Sequence, residues 1–189
     1  MTDIEIFLQY IDLIQLAYEP NLSEEFIEKY ILPNHLQYDK DNRVGPCYCL
    51  GQFIGKQIFS EEFIEKHIED FLPGISYIFR YQQISFDFIK KYFNSCRNYP
   101  LDSLLENNKI KLPIDFLQSK LNIDNDRTLI KALEKYDLTE DFIRSNFLKI
   151  KDIYFCNYGI DPDDQEYFIM TKSNAKIFQD LLDKDAVFK

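Results

Sequence analysis

Hydrophobic and polar positions recur along this chain in a short pattern that occurs five times. The pattern is an apolar residue, then Ser, Thr or Pro, any residue, an acidic residue, Phe, and Ile or Leu. The copies are Leu22–Ile27, Phe59–Ile64, Ile84–Ile89, Leu112–Leu117 and Leu138–Ile143. A further apolar residue follows five positions after each Phe, and the Phe-to-Phe spacings are 37, 25, 28 and 26 residues. Self-similarity at a near-constant period is the sequence signature of a repeat protein.

Each copy of the pattern carries the signals that start a helix. Ser23, Ser60, Ser85 and Thr139 are strong N-cap residues, because their hydroxyl oxygens accept from the unpaired N–H groups of a first turn. Pro113 stands in the same place in the fourth copy, where the start of a helix tolerates proline. The acidic residue before Phe favours the positive end of the helix dipole. Three apolar positions lie within an arc of about 140° on a helical wheel: Phe, the residue after it and the apolar residue five positions later. Each copy therefore predicts a short amphipathic helix.

The stretch before each later copy predicts a second helix. Examples are Ile75–Tyr81, Leu101–Asn107 and Thr128–Tyr136. One helix pair cannot bury its apolar face alone, whereas stacked pairs can. The sequence therefore predicts an all-α fold of stacked helical hairpins, an α-solenoid-like repeat of about five units with 25–28 residues each and atypical ends. A globular helical bundle with accidental similarity between its parts is the competing interpretation.

We expect residues 1–189 to form a single helical-repeat domain. Residues 1–20 would be an N-terminal cap helix, residues 21–150 would hold the five repeats, and residues 151–189 would be a C-terminal cap. The long first spacing predicts a loop insertion at 41–56, a segment that contains Gly45, Gly51 and Gly55.

The runs Ser23–Lys29 and Ser60–Lys66 resemble a short Phe-centred helical repeat, roughly Leu-Ser-x-Asp/Glu-Phe-Ile. That repeat is found in uncharacterised proteins of large DNA viruses of amoebae and related viruses. Tyr81–Ser85 resembles the end of its second helix, and the resemblance covers about residues 20–150. This chain departs from the family in lacking the Trp that often opens the second helix, and in its fourth copy. The resemblance implies a repeat architecture and a viral source, and it brings no catalytic residues with it.

Composition and charge exclude several classes of protein. A chain with 46% hydrophobic and 29% charged residues can support a core, so it is not disordered as a whole. No apolar run approaches the roughly 20 residues of a membrane helix. A net charge of −10 argues against direct binding to nucleic-acid backbones. The first ten residues lack the positive region of a signal peptide, so we expect a cytoplasmic location, the host cytoplasm for a viral protein.

No motif in the sequence predicts an enzyme or a cofactor. A Gly-rich phosphate loop, His-Glu-x-x-His and Gly-x-Ser-x-Gly are all missing. Cys47 and Cys49, with His35 or His67, could ligate zinc. A single residue between the two cysteines is fewer than zinc sites usually have, and no second Cys pair follows. Ordinary packing is therefore favoured for these side chains, and no metal is predicted.

The excess of negative charge lies in the first third of the chain. Residues 1–70 contain 14 acidic and 5 basic residues, whereas residues 71–189 contain 18 and 17. Such a surface either steers a basic partner or is a solvated face that helps solubility. The candidate partner-binding residues are Glu24, Glu25, Glu28, Glu61, Glu62, Glu65 and, in the predicted loop, Tyr48.

The sequence therefore favours a non-enzymatic protein–protein interaction module. In a viral setting this would be a host-directed factor or an inhibitor that uses the acidic N-terminal surface. The first alternative is a structural or assembly component of a virion that self-associates. The second is a small enzyme or metal protein of an unfamiliar kind, for which Cys47 would be the residue to test.

Overall fold

The chain divides into two compact units, Met1–Ile110 and Lys111–Lys189. The computed structural model describes residues 22–33, 46–96, 99–158 and 170–187. Within those ranges every regular element is helical and no residue lies in a β-strand, which confirms the all-α prediction. The predicted cap helix at 1–20 lies outside the described residues. That all 189 residues form one domain stays a prediction.

The motif helices and the named second helices lie close to their predicted positions. Those of the first unit are α1 (Glu24–Phe26), α2 (Pro46–Lys56), α3 (Glu61–Lys66), α4 (Ile68–Phe71), α5 (Ile75–Tyr81), α6 (Phe86–Tyr92) and α7 (Pro100–Glu106). A π-helical turn (Ile27–Ile31) follows α1, and 3₁₀ turns (Leu72–Gly74 and Phe93–Ser95) follow α4 and α6. Those of the second unit are α8 (Ile114–Lys120), α9 (Asp126–Lys135), α10 (Glu140–Ser145), α11 (Phe147–Tyr158) and α12 (Lys172–Val187). The predicted second helices are confirmed as α5, α7 and α9.

Each motif helix begins where the sequence predicts. A serine or threonine hydroxyl accepts a hydrogen bond from the N–H of the motif Phe three residues later, at 3.1–3.3 Å. The capping residues are Ser23, Ser60, Ser85 and Thr139. Pro113 occupies the N-cap of α8. The local signals in the sequence therefore fix where all five motif helices start.

The centre of the motif's buried face is the residue after Phe. Its side chain is 0% exposed in every copy, at Ile27, Ile64, Ile89, Leu117 and Ile143. The motif Phe is buried at Phe63 and Phe88 but only half-buried in the other three copies. The residue after Phe is the deepest because it lies inside the apolar arc, between the Phe and the apolar residue five positions on.

The segment 41–56 is not a loop insertion throughout, because α2 runs from Pro46 to Lys56. α2 is the second helix of the first repeat and packs against α5. A Cβ at Gly51 would lie 2.4 Å from Cζ of Tyr77, so glycine lets that ring lie directly on the helix. The glycines here mark a close contact between helices rather than a turn. Residues 41–45 lie outside the described residues.

In each of four repeats, one side chain near the end of the repeat accepts a hydrogen bond from the main-chain N–H of the first motif residue. This bond closes the repeat. These N–H groups belong to residues outside the helices and have no helical acceptor, so a side-chain oxygen satisfies them. We call the residues that do this closing residues. They are Gln57 (from Leu22, 3.1 Å), Gln82 (from Phe59, 3.0 Å), Tyr136 (from Leu112, 3.2 Å) and Asn174 (from Leu138, 2.9 Å).

Buried amides also bind the last turn of the preceding repeat's second helix. The Nε2 group of Gln82 donates to the carbonyls of Ile54 and Gln57 at 2.7 and 2.9 Å. Carbonyls of a last turn have no intrahelical partner, so this one amide satisfies two of them. Two further amides bind equivalent pairs of carbonyls. Asn107 Nδ2 donates to the carbonyls of Phe79 and Gln82, at 2.9 and 2.8 Å. Asn174 Nδ2 donates to the carbonyls of Leu133 and Tyr136, at 2.8 and 2.7 Å.

The described part of the predicted C-terminal cap is the end of α11 and α12. The Thr171 hydroxyl accepts from the N–H of Asn174 at 3.3 Å near the start of α12. α12 packs against α10, and its buried Phe178 contacts the rings of Phe147 and Tyr154. Within the described residues, α12 therefore supplies the closing residue of the fifth repeat.

Candidate functional site

The first residue of a motif helix binds the N-cap serine of the next repeat. The carboxylate of Glu24 accepts from the N–H and the hydroxyl of Ser60, at 2.5 and 3.1 Å. Glu61 accepts the same two bonds from Ser85, at 2.5 and 2.7 Å. A carboxylate with two lone-pair sites on each oxygen suits this pair of donors. Two of the predicted partner-binding glutamates therefore join successive repeats of the first unit.

Other side chains occupy this position in the third and fourth motifs, and in the fifth motif Glu140 pairs with Arg144 of its own helix. The third motif carries Phe86 and the fourth Ile114 where Glu24 and Glu61 stand. In the second unit, Gln118 Nε2 donates to the hydroxyl of Thr139 at 2.9 Å. The carboxylate–serine contact thus belongs to the first three motifs, where the acidic excess of the sequence also lies.

Two more of the predicted glutamates form ion pairs with the next repeat. Glu28 lies 2.6 Å from Lys66 Nζ, and Glu65 lies 2.8 Å from Lys91 Nζ. The hydrogen bond from Lys66 is the main reason that the pKa of Glu28 lies below its usual value. The hydrogen bond to Glu65 raises the pKa of Lys91 to about 12. These four groups form neutral pairs between repeats rather than an uncompensated negative surface.

Glu25 and Glu62 remain exposed and take part in neither set of contacts. They hold the same motif position, directly before Phe, in two successive repeats. Tyr48 lies in the first turn of α2, and its side chain lies outside the described residues. The structure therefore reduces the six acidic candidates to two whose carboxylates are not engaged in joining repeats.

His67 belongs to the second repeat and lies near Glu28 of the first repeat. Its Nε2 is 3.5 Å from Glu28 and its Nδ1 is 3.7 Å from Asp70, while its ring centroid is 4.8 Å from that of Phe63. The imidazole thus lies at the margin of the core. Within the described residues, no three His, Cys, Asp or Glu side chains are grouped so that they could hold a metal ion.

Sequence reasoning missed the buried amides. Gln57, Gln82 and Asn107 are spaced 25 residues apart, and their side chains are 1–3% exposed. Amide residues are mostly found on protein surfaces, so a polar residue at the end of a helix is usually interpreted as solvated. The signal that could have found them was the recurrence of Gln or Asn with the period of the motif.

Comparison of the chain with protein-family models, curated proteins and solved structures found no match. No helix in the described ranges combines the length and apolar character needed to cross a bilayer. The geometry of the chain's own repeats therefore supplies the basis for a functional proposal.

Proposed function

We propose that this chain is a non-enzymatic protein-binding module whose helical repeats stack, within each unit, as an α-solenoid-like array. Support for the stacking comes from bonds that recur at equivalent motif positions, Glu24 with Ser60 and Glu61 with Ser85. Buried amides add a second recurring connection between consecutive repeats. Neighbours joined by the same bonds keep the same relative placement, which gives the extended, regular surface that repeat proteins use for binding.

The proposed binding surface is acidic, and Glu25 and Glu62 are its central residues. The observation that carries the proposal is that these two exposed carboxylates hold the same position in repeats joined through Glu24 and Ser60. Glu24 and Glu61 add negative charge nearby, because serine donors do not neutralise them. A partner with a basic surface would complement this region, and salt would weaken the association.

The viral part of the proposal depends on the resemblance of the motif to the repeat of large DNA viruses. On that basis the module would be a host-directed factor or an inhibitor acting in the host cytoplasm. Binding would depend on complementary shape and charge and would involve no turnover.

The experiment is an affinity pull-down of the tagged chain from lysate of its natural host, at low and high salt, with mass spectrometry. We expect one basic host protein that is lost at high salt. The double variant Glu25→Lys/Glu62→Lys should lower its recovery about tenfold or more, since reversing charges at an interface juxtaposes like charges. The change leaves the bonds between repeats intact, so the fold should survive.

A matched control comes from the second unit, where Asp115 and Asp141 hold the same motif position and are also exposed. Asp115→Lys/Asp141→Lys changes the net charge equally but leaves the proposed surface unaltered, so recovery should persist. Equal loss with both double variants would show that only total charge matters. Recovery that neither salt nor the first double variant changes would overturn the acidic surface.

A second candidate function is self-association as a structural or assembly component. It is favoured by one observation in the second unit, the exposure of Leu148 and Phe155 on α11. Recovery of the bait alone, together with oligomers that grow with concentration, would favour this alternative.

A further inference from the structure

Two large apolar side chains are exposed near the ends of α2 and α5 in the first unit. Ile58 follows Gln57, the closing residue of the first repeat, and is 71% exposed. Tyr81 precedes Gln82, the closing residue of the second repeat, and is 41% exposed. Single exposed apolar side chains are ordinary in folded proteins, whereas adjoining ones with a polar rim mark sites of interaction.

The bonds of Gln82 bring these two residues close together. Its side chain accepts from the N–H that follows Ile58, at 3.0 Å, and donates to the carbonyl that precedes Ile58, at 2.9 Å. Tyr81 is the residue directly before Gln82. A Cβ at Gly55 would lie 3.3 Å from the Tyr81 ring, so that ring lies on the last turn of α2, three residues before Ile58. Ile58 and Tyr81 therefore belong to one part of the surface of the first unit.

The fold does not require an apolar side chain at either position. The residues that correspond to Ile58 in the second, third and fourth repeats are exposed and polar: Gln83, Asn108 and Asp137. Those that correspond to Tyr81 in the first, third and fourth repeats are charged: Lys56, Glu106 and Lys135. Part of the Tyr81 ring packs against Gly55 and lies nearly parallel to the ring of Tyr77. The stacking of repeats explains that part, and it does not explain the exposed apolar surface beside it.

Negative charge borders this apolar pair. Glu61 and Glu62 follow Ile58 by three and four residues. The carboxylate of Glu61 also binds the linker that follows Tyr81. Lys56, at the end of α2, is exposed and adds one positive charge, which leaves the border negative. An apolar centre with a charged rim is the usual anatomy of a protein–protein interface.

We propose that Ile58 and Tyr81 form the apolar centre of the acidic surface, and that this centre binds a basic segment of a partner protein with an apolar side chain among its lysines or arginines. The inference rests on the proposed function, because Glu25 and Glu62 supply charge that attracts such a segment. The partner's apolar side chain would pack on Ile58, where burial of its surface favours binding. A lysine or arginine of the same segment would lie over the exposed part of the Tyr81 ring, because aromatic rings attract cations.

The test is the affinity of the full chain for two fluorescein-labelled peptides, measured by fluorescence anisotropy at low salt. One peptide consists of lysine and leucine, with the leucines on one face of a helix. The other has glutamine in place of every leucine and keeps the same length and charge. The unaltered chain should bind the leucine peptide about tenfold more tightly, because only that peptide can bury an apolar side chain on Ile58.

Substitutions at the two positions separate their roles. Ile58→Gln introduces the residue that the second repeat has at this position, and the variant should bind the two peptides equally. Leu148→Gln is the matched control, because Leu148 is also 71% exposed but belongs to the second unit; it should keep the full preference for leucine. Tyr81→Leu removes the ring but keeps an apolar side chain, so it should weaken both peptides about threefold. Far-UV circular dichroism on every variant confirms that the helices are retained.

Three results would overturn the inference. The unaltered chain would bind both peptides equally, the preference would persist in Ile58→Gln, or Leu148→Gln would reduce the preference as much as Ile58→Gln does. Unchanged affinity for both peptides in Tyr81→Leu would contradict the part assigned to the ring.

The glutamine peptide tests the proposed acidic surface separately. Its affinity should fall about tenfold in Glu25→Lys/Glu62→Lys and should not change in Ile58→Gln. If the charge reversal has no effect, the acidic surface fails and the inference fails with it. If the charge reversal weakens both peptides while the unaltered chain binds them equally, the inference alone fails.

Discussion

The side-chain carbonyl of Gln82, the residue that ends the second repeat, accepts a hydrogen bond from the main-chain N–H of Phe59, the residue that begins it. The amide nitrogen of the same side chain donates to two carbonyls at the end of α2. One buried amide thus closes its own repeat and binds it to the preceding one. Asn174 makes the equivalent three bonds in the second unit.

Removing the Gln82 amide should destabilise the protein strongly. Gln82→Ala removes the hydrogen bonds that this side chain makes to the N–H of Phe59 and to the carbonyls of Ile54 and Gln57. We expect a loss of about 2–4 kcal/mol in the free energy of unfolding, measured by urea denaturation. Gln83→Ala is the control, because the neighbouring side chain is exposed, and it should change stability by less than about 0.5 kcal/mol. Equal effects of the two substitutions would contradict the role of the closing residue.

The two described glycines of α2 should respond in opposite directions to alanine. A Cβ at Gly51 meets the half-buried ring of Tyr77 at 2.4 Å, so Gly51→Ala should destabilise by about 1–3 kcal/mol. A Cβ at Gly55 meets Tyr81 at 3.3 Å, and that ring is 41% exposed and can move aside. Gly55→Ala should therefore stabilise by about 0.5 kcal/mol through helix propensity. Thermal unfolding of both variants decides this, and a stabilising Gly51→Ala would mean that α2 and α5 are not in close contact.

In the fifth motif, the contribution of Phe to stability can be compared with that of the residue after it, because the two side chains are buried to different extents. Ile143 is 0% exposed, whereas Phe142 is half-buried. Ile143→Ala should cost about 2–5 kcal/mol, and Phe142→Ala should cost less, although Phe is the larger residue. Chemical denaturation of the two variants gives the comparison. A greater loss with Phe142→Ala would show that Phe is the centre of the motif core.

The contact between Glu61 and Ser85 can be measured by a double-mutant cycle. Ser85→Ala removes both the N-cap of α6 and the bonded hydroxyl, and should cost about 1–2 kcal/mol. Glu61→Ala should cost about 0.5–1.5 kcal/mol, and a coupling of about 0.5 kcal/mol or more is expected between the two. Glu62→Ala serves as the control and should show no coupling to Ser85→Ala. Additivity of Glu61→Ala and Ser85→Ala would mean that the bond from the Ser85 hydroxyl to Glu61 does not join the repeats.

Sequence predicted the parts of the fold that local chemistry determines. Ser60 and Thr139 start helices through their own hydroxyls, and the period of the motif shows where the second helices lie. α2 was missed because glycine in a helix is normally unfavourable. Gly51 is explained only by the ring of Tyr77 on the neighbouring helix, which occupies the space that a side chain at position 51 would need. That information depends on packing between repeats, which local patterns do not contain.

The candidate site was predicted only in part for the same reason. The sequence predicts that Glu24 and Glu61 bind a partner, whereas each binds a serine 36 or 24 residues further along the chain. A carboxylate on a first turn has the same sequence signature in either role. Glu25 and Glu62 retain the predicted exposure, and their part in binding a partner stays a prediction.

The most direct test of the repeat architecture is amide hydrogen exchange, followed by NMR, at the residues that lead the motifs. Phe59, Leu112 and Leu138 lie outside helices, yet their N–H groups donate to Gln82, Tyr136 and Asn174. We expect exchange to be slowed on the order of a thousandfold relative to an unstructured peptide, comparable with the helix cores. The protection at Phe59 should fall selectively in Gln82→Ala. Exchange at all three residues as fast as in an unstructured peptide would contradict the closed, joined repeats on which the proposed binding surface depends.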